Sequence, residues 1–243
     1  MGMGNIQSIQ RDEWSVFNNV GGLGKVKQKV IVSAFEARPA VAGANRMGAG
    51  IILPFSFGTT GIAIHQFGDD LYRESIASAG FGNQFGNTAL GVRITYIQYR
   101  ATGFENHSAV SVDFGGITEI TPKIQVGAFI TNVTQSTLRN TDHELLPTKL
   151  HLGIAFRPDE KILLATELEK DIDFDPTLKM GLDYCIYKKI SLRTGYHLSP
   201  ASLFFGTGYE RKNMKIDYAL VLPNQIGTSH QVSVSYSIAG KSK

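Results

Sequence analysis

The sequence predicts an all-β protein: a single antiparallel transmembrane β-barrel of about fourteen strands behind a short N-terminal segment. Three observations carry this. Apolar and polar residues alternate with a period of two over most of the chain. The alternating runs approach ten residues, and short and long links follow one another between them.

Composition sets the frame. A chain of 243 residues suits one barrel, or one large or two small domains. Charged residues are 19% of the chain, 26 residues are Gly and 10% are aromatic, a mix that reads as a β protein with many tight turns. A net charge of +3 with scattered Lys and Arg argues against a nucleic-acid partner. Cys185 is the single cysteine, so no internal disulfide forms. No apolar run reaches the ~18 residues of a membrane helix. The opening "MGMGNIQSIQ" lacks the basic start and apolar centre of a signal peptide. It therefore reads as a cytoplasmic start or as a mature chain whose leader has been removed.

The first element, residues 1–27, contains "DEWSVFNNVGGLGKV". Within it "RDEWSVFNN" is the one helical candidate, with Asp12 as cap. Strands are expected over 28–37, 45–55, 58–67, 72–81, 87–100, 107–119, 123–133, 148–157, 160–170, 177–187, 189–197, 201–210, 213–222 and 229–238. "LGVRITY" shows why: Leu90, Val92, Ile94 and Tyr96 fall on one side, Gly91, Arg93 and Thr95 on the other. "LHLGIAF", "LKMGLDYCI" and "QVSVSYSI" repeat the pattern. A tilted ten-residue strand spans roughly 25 Å, the height of an outer-membrane barrel's apolar band. A tail, 239–243, follows the last strand.

The links "ITPK", "RPDEK", "YKK" and "ERKN" are short, and those between them are longer, as in membrane barrels with short periplasmic turns and longer outer loops. "FGNQFGN" breaks the rule by being too long for a short turn. The apolar strand faces carry almost no charge, whereas the opposite faces hold Arg93, His151, Arg157, Glu167, Glu169, Lys179, Asp183, Arg193, Lys215 and Asp217. In a soluble sandwich those charges would meet water. In a membrane barrel they line the lumen, paired because unpaired buried charge is costly. Strand length and link sorting favour the membrane. Gly80, Gly82 and Gly86 fit either a kinked strand with a lateral gap or plain turns. Aromatics near strand ends, among them Tyr96, Tyr99, Tyr184, Tyr187, Phe204, Tyr209 and Tyr236, suggest interface girdles.

Candidate chemistry is sparse. "GGLGK" fails as a phosphate loop because Val26 follows Lys25 and strands follow the motif. His65, His107, His143, His151, His197 and His230 are dispersed without metal-ligand spacing, and no nucleophile pairs with a base, so neither a metal site nor an enzyme is expected. No cofactor is implied. Asp171, Asp173 and Asp175 begin like a calcium loop, but Pro176 replaces the required Gly. They read as a solvated outer loop, able at most to hold a divalent ion beside lipopolysaccharide. "NHS" and "NVT" match a glycosylation pattern that depends on the host.

Gly2-Met3-Gly4, Asp12, Trp14, Phe17 and Asn19 through Leu23 resemble the mature N-terminus of FadL and PorV-type outer-membrane barrels, and "GTSHQVSVSYSI" resembles the group's last strand. Val20-Gly21 stands where the group has Pro-Ala, and "AGKSK" follows Ile238. The resemblance implies fourteen strands and an N-terminal hatch inside the periplasmic mouth. In that hatch Trp14, Val16 and Phe17 would pack on the inner wall. Asn18 and Asn19 would satisfy stray backbone groups, and Gly21 and Gly22, beside Leu23, would let the chain turn sharply. It implies the outer membrane of a Gram-negative bacterium, in contact with lipid and lipopolysaccharide. The leading expectation is a PorV-like accessory of type IX secretion in Bacteroidota, docking translocon or cargo proteins. The alternatives are a FadL-like channel for hydrophobic small molecules and a structural barrel.

Overall fold

The computed structural model describes residues 1–138, 145–187, 189–223 and 227–238. His143 and the tail 239–243 lie outside the described residues. The fold is a closed antiparallel barrel of fourteen strands. They are β1 (Lys29–Ala37), β2 (Arg46–Phe55), β3 (Gly58–Gly68), β4 (Tyr72–Phe85), β5 (Thr88–Ala101), β6 (His107–Thr121) and β7 (Ile124–Thr131). β8 (Lys149–Phe156), β9 (Ile162–Asp171), β10 (Thr177–Tyr187), β11 (Ile190–His197), β12 (Ser202–Arg211), β13 (Met214–Pro223) and β14 (Ser229–Ile238) complete it. Each strand pairs with its neighbours in sequence, and β14 closes on β1 from Lys29↔Ile238 to Ala37↔His230.

Link lengths sort by end around the whole barrel. Five of the six links at one end have two residues, whereas those at the other end run from three, at 69–71, to seventeen, at 132–148. "FGNQFGN" is no exception. Phe81 to Phe85 continue β4, and the turn is Gly86-Asn87, with Gly86 at φ +60°. β4 and β5 then pair without interruption from Tyr72↔Ala101 to Phe85↔Thr88. The alternation weakens where both strand faces carry small or polar residues, so β4 runs four residues beyond the 72–81 that its pattern marks.

The side-chain faces decide the environment. Outward residues are apolar and exposed: Ile64 is 60% exposed, Ile94 57% and Leu152 45%. Inward positions are buried and include Arg93, His151, Glu167 and Lys179. A water-soluble fold would reverse this, because an apolar surface wrapping the whole molecule is far larger than soluble monomers expose. An apolar exterior over a polar interior is the arrangement of a barrel in lipid. At the short-turn end Phe55 stacks on Phe57 at 5.6 Å and Phe57 on Phe81 at 5.9 Å. With Tyr187 and Tyr209 on the same end, they form an interfacial aromatic girdle. Two of the sequence-assigned girdle residues lie elsewhere: Phe204 is buried against His197, and Tyr99 packs on an inner cluster with Leu138 and Leu146.

Glycine plays a different part from the one composition suggested. Seven glycines have positive φ among the described residues, at turns and loops. Ten others sit in strand interiors: Gly61, Gly80, Gly82, Gly91, Gly115, Gly127, Gly153, Gly181, Gly195 and Gly206, each placed so that a Cβ would strike the N-terminal segment. Several face one another across strands, as Gly61↔Gly80, Gly82↔Gly91, Gly91↔Gly115, Gly127↔Gly153 and Gly181↔Gly195. Gly80 and Gly82 thus mark neither a kink nor a gap. They belong to an inner track on which residues 1–26 lie.

Candidate functional site

The N-terminal segment crosses the lumen along that track. Gly2 lies against Gly206 of β12, Gly4 against Gly195 of β11, and Met3 and Ile6 against Gly181 of β10. Ser8 meets Gly127 and Gly153 of β7 and β8. Residues 12–18 then loop into the lumen. The first 3-10 turn, Glu13–Val16, is capped by Asp12, whose carboxylate accepts the Trp14 N–H at 2.9 Å. A second, Val20–Lys25, is capped by Asn19, which accepts the Gly21 N–H at 3.1 Å. Val16, Val20 and Leu23 are fully buried with Val30, Val32 and Ile52 of the wall, and Trp14 and Phe17 pack at the edge of that cluster.

Gly21, Gly22 and Gly24 do not turn the chain sharply, for none has a positive φ. They permit close approach. A Cβ on Gly21 would lie 2.7 Å from the Gly115 carbonyl oxygen, and one on Gly24 2.7 Å from the Asn83 carbonyl carbon. Glycine on the segment therefore meets glycine on the wall. Such a match requires no turn signal in either stretch.

Three polar clusters fix the segment. Asn19 Nδ2 donates to the carbonyls of Ser8 (2.5 Å), Gly116 (3.0 Å) and Ala128 (3.3 Å), while Asn18 Nδ2 donates to the Trp14 carbonyl at 3.1 Å. Arg93 is paired with Asp113 at 2.7 Å and donates to the carbonyls of Val16 (2.8 Å) and Asn18 (3.2 Å). Asp113 also accepts the Asn132 N–H at 2.8 Å, which ties the plug to the long link 132–148. Asn132 is 3% exposed and donates to the Leu146 carbonyl, so the "NVT" triplet is not a surface acceptor.

The second cluster centres on Glu167, which has no exposed surface. Its carboxylate accepts the N–H of Gln7 at 2.7 Å and of Ser8 at 2.6 Å, contacts His151 Nδ1 at 3.1 Å, and accepts from Lys179 Nζ at 2.8 Å. Lys179 also bonds Glu169, and the His151 ring stacks on Phe129 at 4.1 Å. His151, Glu167 and Glu169 present ligand atoms within 4.8 Å of one another, a grouping hidden in the sequence because it spans two strands. The Lys179 ammonium bonds both carboxylates, so the cluster carries its own cation. In the third cluster Arg193 bridges Asp183, at 2.8 Å, and Asp217. Lys215 stands 3.9 Å from Glu13, which in turn accepts from Ser235 at 2.7 Å.

Other sequence candidates separate. Asp171 ends β9, buried 3.6 Å from Lys149, whereas Asp173 and Asp175 are exposed, so the three carboxylates do not form one site. Arg157 lies in the turn after β8 and not in the strand, and makes no ion pair among the described residues. Burial, and then the nearby Arg11 charge, lower its guanidinium from the ordinary value.

Between the plug and the wall runs a cavity of about 670 Å³, lined by residues of β1–β3, β7–β11, β13 and β14. Its lining extends from Arg157 and Lys161 at the short-turn end to Glu36 and Arg46 at the long-link ends of β1 and β2. It presents six cationic side chains, Arg11, Arg46, Arg157, Lys161, Arg193 and Lys215. It also presents six carboxylates, Asp12, Glu13, Glu36, Glu160, Asp183 and Asp217, and apolar side chains that include Trp14, Phe17, Met47, Ile6, Ile9 and Leu163. The sequence contained every one of these residues, but nothing in it says that the plug leaves this side of the lumen unfilled.

No protein-family model matches the chain, and no curated protein matches it by sequence. Solved structures do match in fold. The Pseudomonas putida toluene transporter TodX aligns over 97% of this chain and 96% of its own, at a TM-score of 0.72 and 12% identity. The Ralstonia pickettii toluene transporter TbuX aligns over 97% and 95%, at 0.64 and 14%. The Acinetobacter baumannii outer membrane protein Omp33 aligns over 87% and 98%, at 0.58 and 10%. At these identities the likeness is one of fold: this chain is built as an outer-membrane β-barrel.

Proposed function

We propose that the protein resides in the outer membrane of a Gram-negative bacterium and acts as a channel for small molecules. The observation that carries the reading is the 670 Å³ cavity beside the plug, whose lining reaches both ends of the barrel. The fold likeness to TodX and TbuX, both described as toluene transporters, supports transport over the docking role in type IX secretion that the N-terminal motif first suggested. No structural feature speaks for a PorV-like assignment in particular. A docking barrel needs no cavity beside its plug, so the cavity favours the channel reading. Reconstitution of the full chain in planar bilayers tests the proposal: discrete current steps support it. A silent barrel that instead captures secretion proteins from native membranes restores the docking reading.

A further inference from the structure

The cavity and the wall together say what such a channel passes. Every adjacent strand pair is hydrogen-bonded, including β1 with β14, so the strand order itself is closed. Gly61, Gly80 and Gly82, where a gap could open, pair in continuous ladders and are covered from inside by Val16, Val20 and Leu23. A solute that follows the cavity along the lumen passes the six cationic side chains and six carboxylates that line it.

From this we infer that the passage takes small polar solutes without net charge, zwitterionic or neutral, and not hydrocarbons. The inference rests on the channel reading and sets its substrate class. An apolar molecule entering between ionised side chains would displace their water and return no hydrogen bonds, which is costly. A zwitterion offers a carboxylate to Arg157 and an ammonium to Glu160, two lining groups without an ion pair among the described residues, replacing water with charge-assisted bonds. Charges of both signs lie along the lining, so an ion of one sign meets like charge as well as opposite charge on its way and is not concentrated there. The volume lies within the usual range for small-molecule sites.

The test uses proteoliposomes of the full chain and osmotic swelling with glycine as permeant. Ala34 and Ser233 are cross-strand partners that both line the cavity, so Ala34→Trp and Ser233→Trp each fill it from the wall. Val232→Trp, on the outward neighbour, is the control, and heat-dependent gel mobility reports folding of each variant. The expected result is glycine-driven swelling that falls at least tenfold in whichever lumen variant folds and is unchanged in Val232→Trp. Trp14 is the only tryptophan and lines the cavity, so its fluorescence reports apolar occupants directly. Saturable quenching by an aromatic hydrocarbon without glycine permeation would overturn the inference and leave the channel reading standing. Neither response, from a folded barrel, would overturn both.

Discussion

Replacing Glu167 by Gln perturbs the plug at its most buried anchor. The carboxylate holds two backbone N–H groups of the plug, at 2.6 and 2.7 Å, on one oxygen, and faces Lys179 and His151 with the other. An amide cannot serve both sides. With its oxygen toward the plug, its NH₂ meets the Lys179 ammonium, and the reverse orientation sets NH₂ against the N–H groups of Gln7 and Ser8. Hydrogen bonds to a charged group contribute about 1.5–3 kcal/mol each. Removing one partner of a buried ion pair costs about 3–5 kcal/mol. These figures overlap, because Glu169 still faces Lys179, so the net loss expected is about 3–5 kcal/mol. At about 1.4 kcal/mol per tenfold, even the lower value shifts the seated-to-released ratio of residues 1–10 more than a hundredfold. The barrel ladder contains none of the affected bonds and stays closed. Limited trypsin digestion of the reconstituted protein reads the result: the wild type keeps its N-terminus, and E167Q loses residues 1–11 by cleavage after Arg11. An E167Q protein with the wild-type digestion pattern and an unchanged melting curve would refute the idea that Glu167 seats the plug.

Three further outcomes are expected. Gly91→Val places a Cβ 2.5 Å from the Val20 carbonyl oxygen, so it lifts the second 3-10 turn at about 1–3 kcal/mol, seen as faster amide exchange over residues 19–26 with the barrel amides still protected. Ile94→Lys, on the outward face at the centre of β5, weakens folding into lipid vesicles by about 2–4 kcal/mol in denaturant titration, whereas a soluble barrel would lose little. Asp69, in the β3–β4 link, accepts the N–H groups of Tyr72 and Leu71, which hold its carboxyl below the ordinary value. Its contribution is therefore complete above the unfolded-state value and is lost as pH falls through the folded one. Local exchange at Leu71 and Tyr72 accelerates only on strong acidification, and Asp69→Asn removes that dependence.

Much of the wall was legible in the sequence because β-structure writes its faces with a period of two. Leu90, Val92, Ile94 and Tyr96 against Gly91, Arg93 and Thr95 identify a strand and its two sides without any knowledge of neighbours. Fourteen such runs, with links sorted by length, give the barrel. Alternation is blind to which side faces water, and only the closed sheet, with Ile94 outside and Arg93 inside, decides that. The lumen was barely legible. Glu167 and Lys179 lie on adjacent strands, and their bonds to Gln7 and Ser8 or to each other depend on register and on the path of residues 1–10. The glycines misled for a related reason. A turn glycine is marked by its own neighbours, but Gly91, Gly115 and Gly153 are needed because of Val20, Asn19 and Ser8, which arrive from more than sixty residues away. Local sequence determined which residues are strand and which face is greasy, since those follow from each residue's own chemistry and spacing. Only the closed tertiary structure decided what fills the barrel and where it stays open, since those follow from which distant surfaces are brought within a few ångströms.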